Sequence, residues 1–109
     1  MKTTPQRGGY QRKYRGGHFI REHLSRGEDF GNGIFRAYKA HLKEMGYRSP
    51  SYASFMGMVR RLENLGLISW VRNETVPGLP YPRRYLSLVK SRAADPAWDN
   101  PGKAYSERR

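Results

Sequence analysis

Residues 51–68 read Ser-Tyr-Ala-Ser-Phe-Met-Gly-Met-Val-Arg-Arg-Leu-Glu-Asn-Leu-Gly-Leu-Ile, and the change of period inside this run decides the fold. Tyr52, Phe55, Val59 and Leu62 recur every three or four residues, the spacing of one helix face. Ala53, Gly57, Arg60, Arg61 and Asn64 fall on the opposite face. Ser49 followed by Pro50 predicts an N-cap with proline at the first helical position. Gly66 predicts the stop after about Leu65, because glycine accepts the positive φ of a helix C-terminus. Beyond it the period falls to two: residues 67–72 predict a strand. Residues 73–82 hold three prolines and Gly78 and predict a loop, and residues 84–89 alternate again as a second strand, with Tyr85 and Ser87 on one side and Leu86 and Leu88 on the other. Two strands joined this way form a long-tipped hairpin.

Upstream, Ile34, Phe35, Tyr38, Leu42 and Met45 share a face over residues 34–45, with Arg36, Lys39 and Lys43 opposite. Asn32 or Gly33 is the expected cap and Gly46 the expected stop. Residues 18–26 place Phe19, Ile20 and Leu24 at helical spacing, and residues 27–33 read as a loop carrying the adjacent acids Glu28 and Asp29. The order is helix, helix, short turn, helix, hairpin.

The stretch Arg60-Arg61-Leu62-Glu63-Asn64-Leu65-Gly66-Leu67-Ile68 resembles the end of the recognition helix and the first wing strand in the winged helix-turn-helix superfamily, many members of which close that helix with a similar Leu-x-x-Leu-Gly-Leu-Ile run. The resemblance spans about residues 18–90. It implies a mostly α fold with a small β-hairpin: three helices plus a two-stranded wing. It also implies that the third helix enters the DNA major groove while the wing touches the backbone or minor groove. Carried onto this sequence, Ser51, Ser54, Arg60, Arg61 and Asn64 are then the polar groups of the inserted helix. Small Ala53 and Gly57 let its backbone approach. Arg48 and Ser49 stand at its N-terminal end, where free amides attract phosphate. Arg72, Arg83 and Arg84 are the cations of the wing, and Arg36, Lys39 and Lys43 add those of the second helix.

Charge supports a polyanionic partner without naming it. The 109 residues carry 21 Lys and Arg against 9 Asp and Glu, a net charge of +12. The excess lies in residues 1–17, at +5, and in residues 32–67 and 68–92, at +4 each. Residues 1–17 contain no aliphatic residue after Met1 and predict a disordered arm. Within it Arg7, Arg12, Lys13 and Arg15 can meet phosphates, and Tyr10 and Tyr14 can stack on unpaired bases. Residues 91–109, twice broken by proline and close to balanced in charge, predict an irregular tail whose Trp98 packs on the domain, with partner docking through Trp98 and Tyr105 as the other reading. Tyr81, between two prolines at the wing tip, folds back or stacks on a nucleotide with equal weight.

Several classes are excluded or disfavoured. With no cysteine there is no disulfide and no thiolate zinc site. No apolar run is long enough to span a bilayer, and the N-terminus has no secretory pattern, so residence in the cytoplasm or on the nucleoid is expected. His18, His23 and His41 lack metal-binding spacing, no phosphate-binding loop is present, and Glu28 and Asp29 diverge. No catalytic residue, metal or cofactor is expected. Glu63 is expected to pair with a nearby arginine. The expected partner is nucleic acid, double-stranded DNA ahead of RNA, bound as a monomer or as a homodimer. A small transcription regulator or architectural DNA-binding protein fits best, and an RNA-binding or ribosome-associated winged-helix protein is the alternative.

Overall fold

A computed structural model describes the backbone of residues 9–108 and the side chains of residues 15–104 and of Ser106. Four helices and three strands follow in the order α1 (Gly9–Ser25), β1 (Asp29–Phe30), α2 (Gly31–Glu44), α3 (Tyr52–Asn64), β2 (Ile68–Glu74), β3 (Arg83–Leu88) and α4 (Pro101–Arg108). Through β3 this is the winged helix-turn-helix arrangement. The strands form one antiparallel sheet in the order β1-β3-β2. The core gathers Ile20 and Leu24 of α1, Ile34, Phe35, Tyr38 and Leu42 of α2, and Phe55, Val59 and Leu62 of α3. Leu65, Leu67, Ile68, Leu86 and Trp98 complete it.

Helices α2 and α3 end by the same device. Gly46 and Gly66 each sit at φ +78°. The amide of Tyr47 reaches back to the carbonyl of Leu42 at 2.8 Å, and that of Leu67 to Leu62 at 3.0 Å. These six-to-one bonds, with the glycine amides bonding one residue further in, define Schellman stops. They turn the chain sharply and bring Tyr47 and Leu67 back onto their own helices. The glycines therefore stop the helices where the sequence places the stops.

Several expectations shift. The first helix does not begin at residue 18. It runs from Gly9, so the arm expected to be disordered is helical over residues 9–17, and residues 1–8 lie outside the described residues. Packing overrides the poor propensity of the glycine pair. A Cβ on Gly16 would lie 2.4 Å from the Met58 methyl, and one on Gly17 would lie 3.6 Å from the Pro101 ring, so the bare backbone of α1 is what these side chains rest against.

The sheet has a third strand, β1, in the segment expected to be loop. Asp29 pairs with Leu86 and Phe30 with Tyr85. Strand runs directly into helix there, so Phe30 is the N-cap of α2, and Asn32 and Gly33 lie inside the helix. Gly33 instead makes room for a neighbouring carboxylate, since a Cβ there would lie 2.5 Å from Oδ1 of Asp29.

The cap of α3 is Ser51, not Ser49. Ser51 Oγ accepts from the Ser54 amide at 3.1 Å, whereas Ser49 Oγ donates to the Pro50 carbonyl at 2.9 Å, which leaves Pro50 outside the helix. Two residues expected on inner faces are instead half-exposed, Met45 at 50% and Tyr52 at 48%.

The C-terminal segment is not irregular. It makes two 3-10 turns, Lys90–Arg92 and Pro96–Trp98, and then α4. Trp98 is fully buried and its Nε1 donates to the Arg92 carbonyl at 2.9 Å. The tail thus closes the core and sets α4 beside α3.

Candidate nucleic-acid interface

The outward face of α3 carries Ala53, Arg60, Arg61 and Asn64, with partly exposed Gly57 among them. A Cβ built on Gly57 meets no heavy atom within 4 Å. The fold therefore leaves room for a side chain at this position. A glycine inside a helix costs about 1 kcal/mol relative to alanine. Packing within the described residues therefore does not call for glycine at position 57.

Two walls flank this face. On one side Ser54, Met58 and Arg61 share a cleft of about 330 Å³ with Asn100, Pro101 and Gly102 at the start of α4. On the other, Arg60 and Glu63 share a cleft with Asn32 of α2 and with Arg83 and Arg84 of β3. Gly57, Arg60, Arg61 and Asn64 line a shallow depression between them. The structure so brings together Ser54, Arg60, Arg61, Asn64, Arg83 and Arg84. Ser51 is exposed at the N-terminus of α3, with its hydroxyl oxygen engaged as the cap. Arg48 and Ser49 line a separate cleft with Arg15, below the turn between α2 and α3. Arg36, Lys39 and Lys43 are exposed on α2 and line none of these clefts; Lys39 sits 5.5 Å over the Phe35 ring. Arg7 and the side chains of Tyr10, Arg12, Lys13 and Tyr14 lie outside the described residues.

The wing arginines are not bare cations. Each has a carboxylate and an aromatic face. Arg72 Nε bonds Glu28 and its guanidinium lies 3.9 Å over Tyr85. Arg83 is 3.7 Å from Glu74 and 4.3 Å over Phe30. Arg84 is 3.0 Å from Glu63 and 4.3 Å over Trp70. The hydrogen bond to Glu28 holds Arg72 protonated above its already high ordinary value, and the hydrogen bond to Glu74 pushes the Tyr85 hydroxyl up. These acids and aromatics were not singled out as partners of the wing from sequence, Glu63 excepted. Two of the acids, Glu28 and Glu63, come from outside the hairpin, so only the fold brings them to it.

Hairpin geometry explains what else stays outward. The register between β2 and β3 shifts between Trp70 and Arg72, a bulge that leaves Val71 unpaired and turns the strand. Trp70 at 51%, Val71 at 49%, Leu79 at 48% and Tyr81 at 78% are exposed along the wing and its tip. Tyr81 does not fold back onto the hairpin.

The adjacent acids Glu28 and Asp29 diverge as expected and serve structure. Glu28 takes Arg72, while Asp29 Oδ2 lies 2.8 Å from His23 Nε2 and its Oδ1 accepts from the Phe30 amide at 2.8 Å. Among the described residues no group of three or more His, Asp or Glu side chains is placed to hold a metal ion. No described helix is long and apolar enough to cross a membrane.

No protein-family model matches the chain, and no curated protein matches its sequence. Among solved structures, the chain is similar to the circadian clock associated protein Pex from Anabaena. The TM-score is 0.60 at 16% identity, over 88% of this chain and 78% of that one. That likeness shows the winged-helix fold.

Proposed function

We propose that this chain binds double-stranded DNA, with α3 in the major groove and the wing and neighbouring cations on the backbone. The observation that carries the reading is the outward face of α3: a helix-weakening glycine with open space above it, next to Arg60, Arg61 and Asn64. A helix that is to sit deep in a groove needs a small residue at its closest approach and donors on either side to reach base edges and phosphates.

The ion pairs of the wing are compatible with phosphate contact. An arginine carries five N–H donors, and a single carboxylate contact uses only part of them. In this reading the carboxylates and rings hold each guanidinium in place, and its remaining edge faces the backbone. The chain acts as a binding protein, a small transcription regulator or architectural protein on the nucleoid, with no catalytic step, metal or cofactor of its own.

The test is binding to duplex DNA, single-stranded DNA and structured RNA across a salt series. Duplex is expected to hold its lead as salt rises, and the Arg60→Ala, Arg61→Ala double variant is expected to lose most of that lead. RNA binding equal to duplex binding at raised salt would favour the ribonucleoprotein alternative and overturn the major-groove reading.

A further inference from the structure

The cations of this chain fall into two sorts. Arg72, Arg83, Arg84 and Arg92 each have a carboxylate of the chain within 4 Å. Arg15 and Arg48 have none among the described residues, and they line the same cleft. That cleft lies between α1, the turn joining α2 to α3, and α3 itself. Its walls are Arg15, Tyr38, Leu42, Arg48, Ser49, Pro50 and Met58, and its volume is about 280 Å³. Among the described residues no acid lines it, and its charged groups are both cations.

Nη1 of Arg15 is buried and has no hydrogen-bond partner. A buried, charged donor without an acceptor is unusual, because its lost hydration is not replaced. The Tyr47 ring, 3.8 Å from the guanidinium carbon, satisfies only the face of the group. That one nitrogen is left in need of an acceptor. Ser49 Oγ already donates to Pro50, so the donors left to a ligand are Arg15, Arg48 and the Tyr38 hydroxyl. Burial pushes the Tyr38 pKa up against the opposing charge of Arg15, which keeps that hydroxyl protonated at neutral pH. Planar guanidinium groups match the paired oxygens of a phosphate, which neither water nor chloride offers. The volume accommodates such an anion together with water molecules of about 30 Å³ each.

We propose that this cleft binds one phosphate group, held by Arg15 and Arg48. The group can come from a nucleic-acid backbone crossing the helix-turn-helix turn or from a free phosphorylated compound. Only the first source rests on the DNA-binding reading.

The experiment uses the full chain. Inorganic phosphate is titrated against chloride at matched ionic strength, while the arginine side-chain N–H and Tyr47 ring resonances are followed by NMR. A saturable shift with phosphate alone is expected, lost in Arg48→Ala and reduced in Arg15→Lys, which keeps the charge but not the fork. Arg48 is exposed, so its variant keeps the test intact should Arg15 variants fail to fold. No saturable difference between phosphate and chloride overturns the site, whatever the chain does with DNA. A second arm measures duplex affinity against salt. If the backbone is the source, Arg48→Ala lowers the salt slope by about 0.9. If phosphate binds but the slope is unchanged, the site stands with a free phosphorylated compound as its ligand. If phosphate binds and duplex does not, the site stands and the DNA reading falls.

Discussion

The guanidinium of Arg84 lies 4.3 Å over the indole of Trp70 while it bonds Glu63 at 3.0 Å, so one wing cation is clamped between the hairpin and α3. This clamp fixes the wing against the helix and also neutralises a positive charge beside the face proposed to meet DNA. The two effects separate in Glu63→Gln. An exposed ion pair is worth roughly 0.2–1 kcal/mol, so stability should change little. Removing the carboxylate frees the charge of Arg84 for phosphate. Duplex affinity should rise by up to roughly fivefold, the limit to which such an energy corresponds. Fluorescence anisotropy at fixed salt, with an unfolding curve alongside, measures both; an unchanged affinity would show that Arg84 does not touch the backbone.

Gly57 offers a sharper division between folding and binding. With open space above it, Gly57→Ala should raise stability by up to about 1 kcal/mol through helix propensity alone. Gly57→Leu should also fold, since the added Cβ meets nothing in the chain. It should nonetheless weaken duplex binding at least tenfold (~1.4 kcal/mol) by holding the helix out of the groove. Thermal melting and a binding titration on the same samples decide it. A leucine variant that binds like the parent would place the α3 backbone away from any groove.

The parts of the fold that were legible in the sequence are those governed by local rules. Gly46 and Gly66 mark helix ends because positive φ is a property of one residue. The apolar spacing of α2 and α3 marks their buried faces. The misplaced parts depend on partners distant in sequence. Residues 1–17 looked like a flexible arm because they hold no aliphatic residue after Met1, yet Met58 and Pro101 pack onto Gly16 and Gly17. Two residues of β1 cannot show a period, and only pairing with Tyr85 and Leu86 makes them a strand. At the candidate site the cations were legible by residue type, but their partners were not. Glu28 lies 44 positions from Arg72. No spacing rule connects them.

Trp98 is the residue on which the C-terminal segment depends. It is fully buried and its indole N–H is satisfied by the Arg92 carbonyl. Replacing a buried tryptophan by alanine costs about 3–5 kcal/mol, a large share of the 5–15 kcal/mol that typically holds a small domain together. Trp98→Ala should therefore unfold at much lower urea. Trp98→Phe should lose less, mainly the hydrogen bond, worth about 1 kcal/mol, and some volume. If deletion of residues 91–109 left the urea midpoint unchanged, Trp98 would not be part of the folding core.

Acid should loosen that same segment first. Asp95 caps the turn at Pro96–Trp98: Oδ1 accepts from the Ala97 amide at 2.8 Å and Oδ2 from Arg92 Nε at 2.8 Å. The Ala97 amide, and after it the Arg92 guanidinium, hold the Asp95 carboxyl below its ordinary value. A carboxyl more acidic in the folded chain than in the unfolded one stabilises the fold only while ionised. Its contribution is complete above the unfolded value of about 3.9 and is lost as pH falls through the lower folded value. Stability owed to Asp95 should thus be flat from about pH 5 upward and decline below about pH 4. In a Trp70→Phe background, fluorescence reports Trp98 alone. Urea midpoints taken at neutral pH and near pH ~3 should differ more for this chain than for its Asp95→Asn variant, which has no proton to gain at that position. Equal differences in the two proteins would mean that the cap contributes nothing to the acid sensitivity of the fold.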